Sequence, residues 1–320
     1  RDSHPAALLA ALRHARLWLL LPIVGRSLLG LVLRGLRWHL LLQAIAAPNT
    51  VLDSILLFTA AQAALLVPGG QFLLPVLQRS QHGTLIRRSV PTILVQELVF
   101  GLLVLPAALP GVPSYHPAGW LLLLAFVFNA GTAVAFLQGG VIRAVLRLAA
   151  RLPLLRGRVA HLEELQDHFV AVAQSPWAVW GTLLDMGSIA AAGLGLWLAL
   201  LAVGAVGFGW VEGMAVYALG SAVGTLSALP GGLGANEDVS TLVLTHLGLA
   251  AGPAAAAVLL FRVVNLLSQT ALGWAVLLLA SPRWHLHPTP EGLRQAIHGA
   301  ERRKVEGSQA EPPPEQSLRE

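Results

Sequence analysis

The sequence predicts an all-α fold, a polytopic transmembrane helix bundle, and two observations carry that prediction. Hydrophobic residues make up 55% of the 320 residues and charged residues only 12%, about half of the roughly 25% that soluble domains carry. Several uncharged stretches also reach the length of about 20 residues that a helix needs to cross a hydrocarbon core of ~30 Å. They are Ser54–Gln78, Trp120–Ile142, Met186–Val211 and Val263–Pro282.

The first membrane half, residues 1–142, combines long helices with one broken helix at 68–83. Pro68, Gly69 and Gly70 end a helix because proline lacks the amide N–H and glycine favours non-helical backbone. The first helix carries Arg34 and Arg37, which we expect near a membrane edge where arginine side chains snorkel to water. The predicted helices of this half are 18–42, 51–67, the short segment 71–82, 90–109 and 120–138.

A basic amphipathic connector follows at residues 143–176. Arg143, Arg147 and Arg151 recur every four residues and share one helical face. Their charge predicts a cytoplasmic location, and the apolar face is expected at the lipid interface. The alternative is recognition of anionic lipid head groups.

The second membrane half covers residues 177–282 and repeats the pattern of the first. Pro230, Gly231 and Gly232 interrupt a helix and open a broken helix at 229–248. The predicted helices are 177–203, 210–228, a short one that ends near 247 and a last one at 254–280. Residues 283–320 are polar and proline-rich, which predicts a disordered tail.

The two Pro-Gly-Gly breaks predict an internal repeat. Gly83 precedes Glu97 by 14 residues, and Gly248 precedes Arg262 by the same number. Each short segment after a break is only ~15–18 Å long as a helix and cannot cross a bilayer alone. We therefore predict two re-entrant half-helices, about seven or eight spans in all, and a transport site at the duplicated breaks.

Glu97 and Arg262 occupy equivalent repeat positions with opposite charge. A charge at mid-bilayer costs at least ~2.5–3.5 kcal/mol, so exposure to lipid is disfavoured. We expect them to pair or to share a hydrated cavity; the alternative is a snorkelling charge or a purely architectural ion pair. Secondary candidates are Asp185, an acid within an apolar run, and Asn265 and Gln269, which suit hydrogen bonds between helices.

The second break carries acids that the first lacks. After Gly234, Asn236 is predicted to cap the following helix, and Glu237 lies in the first turn, where an acid favours the helix dipole. The functional alternative is an anion, such as a lipid phosphate, at the half-helix N-terminus. Glu237 would then pair with Arg262 or handle a cation or proton.

Other classes of function lack support in the sequence. There is no cysteine, and no hydrolase, kinase, dinucleotide-binding or zinc pattern occurs, so we expect no cofactor and no metal. The basic charges are nearly all arginines in loops and at helix ends, which indicates membrane orientation and no nucleic-acid partner. Because the chain opens at Arg1, a preceding N-terminal helix is also expected.

The stretch "LPGGLGANEDVSTLVLTHLGLAAGPAAAAVLLFRVVNLLSQTALG" resembles the C-terminal hallmark of the lysylphosphatidylglycerol synthase transmembrane family of flippase-like proteins. Two segments near the start of the chain, "LRGLRWHLLLQAI" (33–45) and "LLVPGGQ" (65–71), are similar to the N-terminal half of that family. The residues that match the C-terminal pattern are Pro230, Gly231, Gly232, Gly234, Glu237 and Arg262. The first half departs from the pattern, with Gln71–Pro75 after the break and Glu97 near a position where arginine is common.

The resemblance implies a multi-pass protein of the plasma (inner) membrane that moves or handles lipids. Some relatives carry a soluble aminoacyl-lipid synthase domain, which we do not expect after residue 280. The predicted function is therefore a flippase-like transporter that moves a polar or anionic lipid head group between two repeats. The predicted substrate path contains Pro68, Gly69, Gly70, Glu97, Pro230, Gly231, Gly232, Gly234, Asn236, Glu237 and Arg262.

Two other functions stay open at this point. One is a membrane glycosyl- or lipid transferase that uses an isoprenoid-phosphate donor, with Glu237 or Asp185 as base. The other is a non-catalytic partner of a separate lipid-modifying enzyme. The expected partners are membrane lipids and, in the last case, that enzyme. The tail lies outside if the short helices are re-entrant and inside if each break yields a net crossing; its arginines favour inside.

Overall fold

The computed structural model describes residues 10–47, 49–67, 70–111, 116–139, 159–227 and 232–280, together with 282 and 284. Across these ranges the chain is helical and contains no strand, which confirms the all-α class. The described α-helices are α1 Leu20–Gln43, α2 Val51–Ala61, α3 Leu73–His82, α4 Ile86–Ala108, α5 His116–Gln138, α6 Val159–Ala173, α7 Pro176–Ala202, α8 Trp210–Leu226, α9 Ala235–His246 and α10 Ala251–Ala280.

Four helical stretches in the described ranges are long and apolar enough to cross a membrane: Leu17–Gln43, Arg88–Ala108, Pro176–Ala202 and Ala251–Ala280. Val51–Ala64 and Leu122–Gln138 are shorter apolar helices. Large apolar side chains face outwards, with Leu21 78% and Leu279 83% exposed. Exposure of so much apolar surface to water is unfavourable, so these outward-facing side chains indicate that lipid surrounds the helices. The count of seven or eight spans stays a prediction.

Local sequence explains where several helices begin and end. Thr50 caps α2, because its Oγ1 accepts a hydrogen bond from the Asp53 amide at 3.1 Å. Pro176 occupies the first turn of α7, where its missing N–H costs nothing. Helix α3 ends at Gly83, whose φ of 67° lies in the left-handed region that glycine adopts without strain.

Helices α1 and α7 pack antiparallel and define the two ends of the bundle. Arg37 near the end of α1 bonds to Asp185 near the start of α7, whereas Arg26 lies against Gly195, further along α7. We call the ends of the bundle the Gln43 end and the Ala202 end. A core cluster at the Ala202 end contains Ile23 and Leu200, and another near the Gln43 end contains Trp38 and Leu42.

Helices α2 and α3 form a hairpin that starts and finishes at the Gln43 end. Ile55 of α2 lies against Gly35 of α1, and the His39 side chain lies 3.2 Å from the Ser54 hydroxyl, so α2 runs antiparallel to α1. Helix α3 returns, since Gln78 accepts a hydrogen bond from Asn49 at 3.3 Å. Gly70, the described residue of the first Pro-Gly-Gly, lies between the two helices.

Helices α8 and α9 form a second hairpin, which starts and finishes at the Ala202 end. A side chain at Gly220 would meet Ser240 and Asn236, and one at Gly224 would meet Gly232. These approaches place the two helices antiparallel, with Gly232 of the second break at the tip. The hairpins thus enter the bundle from opposite ends.

Helices α4 and α10 follow the two hairpins and run in opposite directions. Ile93 of α4 packs with Trp38, and Ala108 packs with Ile23, so α4 runs towards the Ala202 end. Ala254 of α10 belongs to the cluster at the Ala202 end and Leu277 to the other. The Trp284 carbonyl, just after α10, accepts a hydrogen bond from Gln81 at 2.9 Å, so the chain leaves α10 at the Gln43 end.

The connector differs from the sequence prediction in the part that is described. Residues 143–158, with all its arginines, lie outside the described residues. In α6, Phe169 and Val172 are buried against Leu41, Val95 and Ala178 of the bundle. The expectation of an apolar face at the lipid interface is therefore wrong for these two residues, because the protein itself covers them.

Candidate functional site

A cavity of about 190 Å³ lies beside the first break. Arg34 and Arg37 reach it from α1, and Gln96 and Glu97 reach it from α4. Gly70, the last residue of the first Pro-Gly-Gly, also lines it. The remaining lining residues are Phe58, Ala61, Gln62, Leu65, Leu74, Ile93 and Phe100. Charged side chains from two helices thus converge on one space inside the bundle.

The cavity depends on the close backbone turn at Gly70. A Cβ there would lie 1.8 Å from the Ala64 carbonyl oxygen, a separation that no side chain tolerates. Glycine is therefore the residue that lets the chain fold back on Ala64, just after α2. Pro68 and Gly69 lie outside the described residues.

The arginines of α1 lie on one side of the helix and face the interior. Arg26, Arg34 and Arg37 are 8 and 11 residues apart, which confines them to an arc of about 80° at 3.6 residues per turn. Arg26 and Arg37 are 7% and 3% exposed. The prediction that Arg34 and Arg37 snorkel at a membrane edge is wrong, because other helices supply polar partners inside the bundle.

Helix α10 supplies the partners of Arg26 and Arg34. Arg26 Nη2 donates to Asn265 Oδ1 at 2.5 Å, and Arg34 Nη2 donates to Gln269 Oε1 at 3.1 Å. Gln269 Nε2 in turn donates to Asn265 Oδ1 at 2.9 Å. The two amides therefore join helices through hydrogen bonds, as predicted. Their partners include Arg26 and Arg34, and this pairing was not predicted.

Helix α7 supplies the partner of Arg37. Arg37 Nη1 donates to Asp185 Oδ1 in an ion pair whose side chains are 3% and 1% exposed. Arg37 Nε and Asp185 Oδ2 are buried without a hydrogen-bond partner. Leaving such atoms without hydrogen bonds in a low-dielectric interior lowers the stability of the folded protein.

Glu97 and Gln96 of α4 provide acceptors that line the cavity. Glu97 lines this space, and Gln96 is 7% exposed with an Oε1 that has no hydrogen-bond partner. A carboxylate accepts hydrogen bonds only, whereas a guanidinium donates only. The cavity therefore has donors on α1 and acceptors on α4.

At the second break, Glu237 both caps a helix and forms an ion pair. Its Oε2 accepts from the Gly234 amide at 2.7 Å, and its Oε1 accepts from Arg262 Nε at 2.5 Å. The N-cap residue is Gly234, so the prediction of Asn236 as the cap is wrong. Asn236 lies inside the first turn, buried against α8, and accepts from Ser240 at 3.3 Å.

The glycines of the second break take backbone conformations that other residues avoid. Gly232 and Gly234 have φ values of 65° and 84°, which an L side chain would strain. Gly232 also packs directly on the backbone of Gly224. Pro230 and Gly231 lie outside the described residues.

Glu97 and Arg262 have different neighbours from those expected. Arg262 pairs with Glu237 from its own half, and Glu97 shares the cavity with Arg34 and Arg37. Glu97 and Arg262 therefore do not form the predicted ion pair with each other. Arg262 is in an ion pair with Glu237, and Glu97 lines the cavity. Arg34 and Arg37 were not predicted as site residues; the signal that could have found them is their shared helical side within an apolar span.

These features define the class of protein. Helices long enough to cross a membrane enclose arginines and acids that bond to one another, and two interrupted hairpins bring their glycines into the bundle. The chain is therefore an integral membrane protein with a polar interior.

The chain belongs to the family described as the lysylphosphatidylglycerol synthase TM region, whose model matches residues 2–273. This match confirms the resemblance drawn from the two breaks and from Arg262. A search of curated proteins finds no match.

Proposed function

We propose that this protein is a flippase-like transporter that carries a polar or anionic lipid head group across the plasma (inner) membrane. The observation that carries the proposal is the cavity shared by Arg34, Arg37 and Glu97 within helices of membrane-spanning length. Charges inside a bilayer are expensive and are usually kept for a functional path. Arginine also suits phosphate, because its planar guanidinium donates two parallel hydrogen bonds.

The two hairpins support a transporter architecture. We propose that α2–α3 and α8–α9 are re-entrant and belong to inverted repeats, because they enter from opposite ends and are followed by α4 and α10 in opposite directions. Inverted repeats with broken helices characterise many secondary transporters, whose sites lie near the midplane. The cavity at the tip of the first hairpin fits that location.

The two breaks have different roles in this proposal. At the second break the charges are paired with each other. Glu237 Oε1, at the start of α9, lies 2.5 Å from Arg262 Nε of α10. In the first copy Pro75 stands where Glu237 stands in the second, counted from the break, and Glu97 replaces Arg262. The same pair cannot form there, and the cavity lies at that break.

The proposal predicts that Arg34→Gln abolishes most lipid translocation. Purified protein in liposomes should move a head-group-labelled phospholipid between leaflets, and the variant should be slower by about 10- to 100-fold, since a charge-assisted hydrogen bond is worth about 1.5–3 kcal/mol. Arg88→Gln is the matched control, because Arg88 is exposed at the start of α4. Product formation from an isoprenoid-phosphate donor without translocation would contradict the proposal and favour a transferase. Translocation that needs an added synthase would favour the partner role.

The orientation of the chain is a second expected result. Helices α5 and α10 both end at the Gln43 end, since Phe136 packs with Leu41 and Leu277 with Trp38. The arginine-rich segment and the tail follow these helices, so the positive-inside rule puts that end in the cytoplasm. The sequence alternatives counted α2 and α8 as crossings; because each hairpin returns to the end where it starts, re-entrant hairpins are compatible with a tail on the inside. In intact cells, Val206→Cys at the other end should react with an impermeant maleimide, and Ser308→Cys in the tail should react only after permeabilisation. The reverse labelling would contradict this orientation; the native chain has no competing thiol.

A further inference from the structure

We propose that Glu97 binds a proton each time an anionic group enters the cavity at the first break, so that the protein carries one proton with each anion. The proton would drive the transport function proposed above, on which this inference rests. Three features of the molecule support it: the sum of the charges at the cavity, the partners that those charges already have, and the difference between the two breaks.

The charged groups at the cavity sum to zero before a ligand enters. Arg37 and Asp185 form a buried ion pair, with side chains 3% and 1% exposed. Arg34 is hydrogen-bonded to the neutral amide of Gln269, so the charge that balances it is that of Glu97, which lines the same cavity. An anion that binds Arg34 therefore adds a net negative charge to a low-dielectric interior, where an unbalanced charge is unfavourable.

Protonation of Glu97 removes this excess charge. Its carboxylate takes up one proton on an Oε atom and becomes a neutral carboxylic acid, so the cavity with an anion and a proton has the same net charge as the cavity with neither. Binding of the anion and binding of the proton then favour each other, because coupling between two sites is reciprocal. When both leave, the carboxylate of Glu97 again balances Arg34.

The partners of the nearby charges assign the proton to Glu97. The charged groups that line the cavity with it are Arg34 and Arg37 of α1, and Asp185 of α7 is held by Arg37 and does not line the cavity. Helices α3, α5, α6 and α8 also pack against α4, but none of their described titratable side chains lines this space. Within the part of the chain that the structure describes, no hydrogen bond or ion pair joins Glu97 to another residue, so its protonation breaks none.

The cavity is large and polar enough to hold water beside Glu97. A volume of about 190 Å³ accommodates several water molecules at ~30 Å³ each. Gln62 and Gln96 line the same space, and Gln96 Oε1 is buried without a hydrogen-bond partner. An amide oxygen accepts hydrogen bonds from water, so the cavity has polar atoms that can support a chain of water molecules to the carboxylate.

The second break differs in the partner of its acid. Glu237 forms an ion pair with Arg262 at 2.5 Å, so an anion that enters there would have to displace a carboxylate. Glu97 stands at the repeat position of Arg262 and lies beside a cavity instead. We therefore expect a single proton site, and one proton for each anion.

The first test is transport by the full chain in phosphatidylcholine liposomes that contain a trace of acyl-labelled phosphatidylglycerol, whose phosphodiester carries a single negative charge. In the wild type the anion and the proton together are neutral, so a pH gradient should shift the label towards the alkaline side, by up to about tenfold per pH unit, and a potassium diffusion potential should have no effect. In Glu97→Gln the pH response should disappear, and a voltage response of up to about tenfold per ~60 mV should replace it.

The second test counts protons when an anion binds to the full chain in a non-ionic maltoside detergent. Calorimetry in buffers of different ionisation enthalpy gives the proton uptake on binding of dihexanoyl-phosphatidylglycerol, at pH values from about 6 to about 9. The largest uptake should approach one proton in the wild type, in Glu97→Asp and in the control Asp167→Asn, an exposed acid on α6. Glu97→Gln should take up none. Water-soluble glycerophosphoglycerol, which carries the same anion without acyl chains, is titrated in parallel.

The outcomes separate the proton site from transport itself. Wild-type translocation that responds to voltage and not to pH, with no proton uptake at any pH, would overturn the proton site and leave lipid transport standing. Uptake that persists in Glu97→Gln would overturn the role of Glu97. No translocation and no binding of either probe would overturn both proposals. Proton-linked binding of glycerophosphoglycerol without the lipid would support the proton site and contradict lipid as the anion.

Discussion

Asp185→Leu is expected to destabilise the protein by about 3–5 kcal/mol, the cost of leaving a buried charge without its partner. Arg37 and Asp185 are 3% and 1% exposed and bond directly to each other. Removal of the carboxylate leaves the buried Arg37 guanidinium without its ion-pair partner, with Nε already unpartnered. Thermal unfolding of the purified protein in detergent would measure the effect as a large fall in Tm.

The double variant Arg37→Met/Asp185→Leu shows whether the loss of stability in Asp185→Leu comes from the unpaired charge or from poorer packing. Replacement of both members of a buried pair by apolar residues of similar size is often neutral or stabilising, so the double variant should recover most of the lost stability. Asp167→Asn, at an exposed acid, should leave Tm unchanged. If the double variant unfolds as easily as Asp185→Leu, the ion pair is not the source of the effect.

Glu237→Ala should destabilise α9 locally by roughly 2–4 kcal/mol, because it removes a charged hydrogen bond and a helix cap together. Glu237 accepts from Arg262 at 2.5 Å and from the Gly234 amide at 2.7 Å. Its side chain is 16% exposed and that of Arg262 is 12% exposed, so solvent screens the pair little. Amide hydrogen exchange across Ala235–His246 should become faster by at least about tenfold.

The neighbouring acid offers a matched control for this prediction. Asp238 lies in the same first turn but is exposed, so Asp238→Ala should change exchange in α9 only slightly. A double-mutant cycle of Glu237→Ala with Arg262→Ala should give a coupling energy of about 0.5–3 kcal/mol. Equal effects of Glu237→Ala and Asp238→Ala would show that Glu237 contributes only the general helix-dipole effect of an acid.

The helix boundaries and breaks were largely predictable because their causes are local. Pro-Gly-Gly sequences break a helix wherever they occur, and both short helices end just before glycines, Gly83 and Gly248, with φ of 67° and 95°. The misplaced cap at Asn236 shows the limit of local reasoning. A glycine with positive φ, Gly234, began the helix two residues earlier, and Glu237 supplied the capping oxygen from inside the first turn.

The sequence by itself determined that this protein is an all-α membrane protein with two matched breaks, because composition, run length and glycine spacing act along the chain. Only the tertiary structure decided the partner of each charge. Arg26 and Arg34 bond to α10 residues 239 and 235 positions away, and Arg37 bonds to Asp185 across 148 positions. Such pairings depend on which helices pack together, and the same arginine in an apolar run reads equally well as a snorkelling side chain until that packing is known.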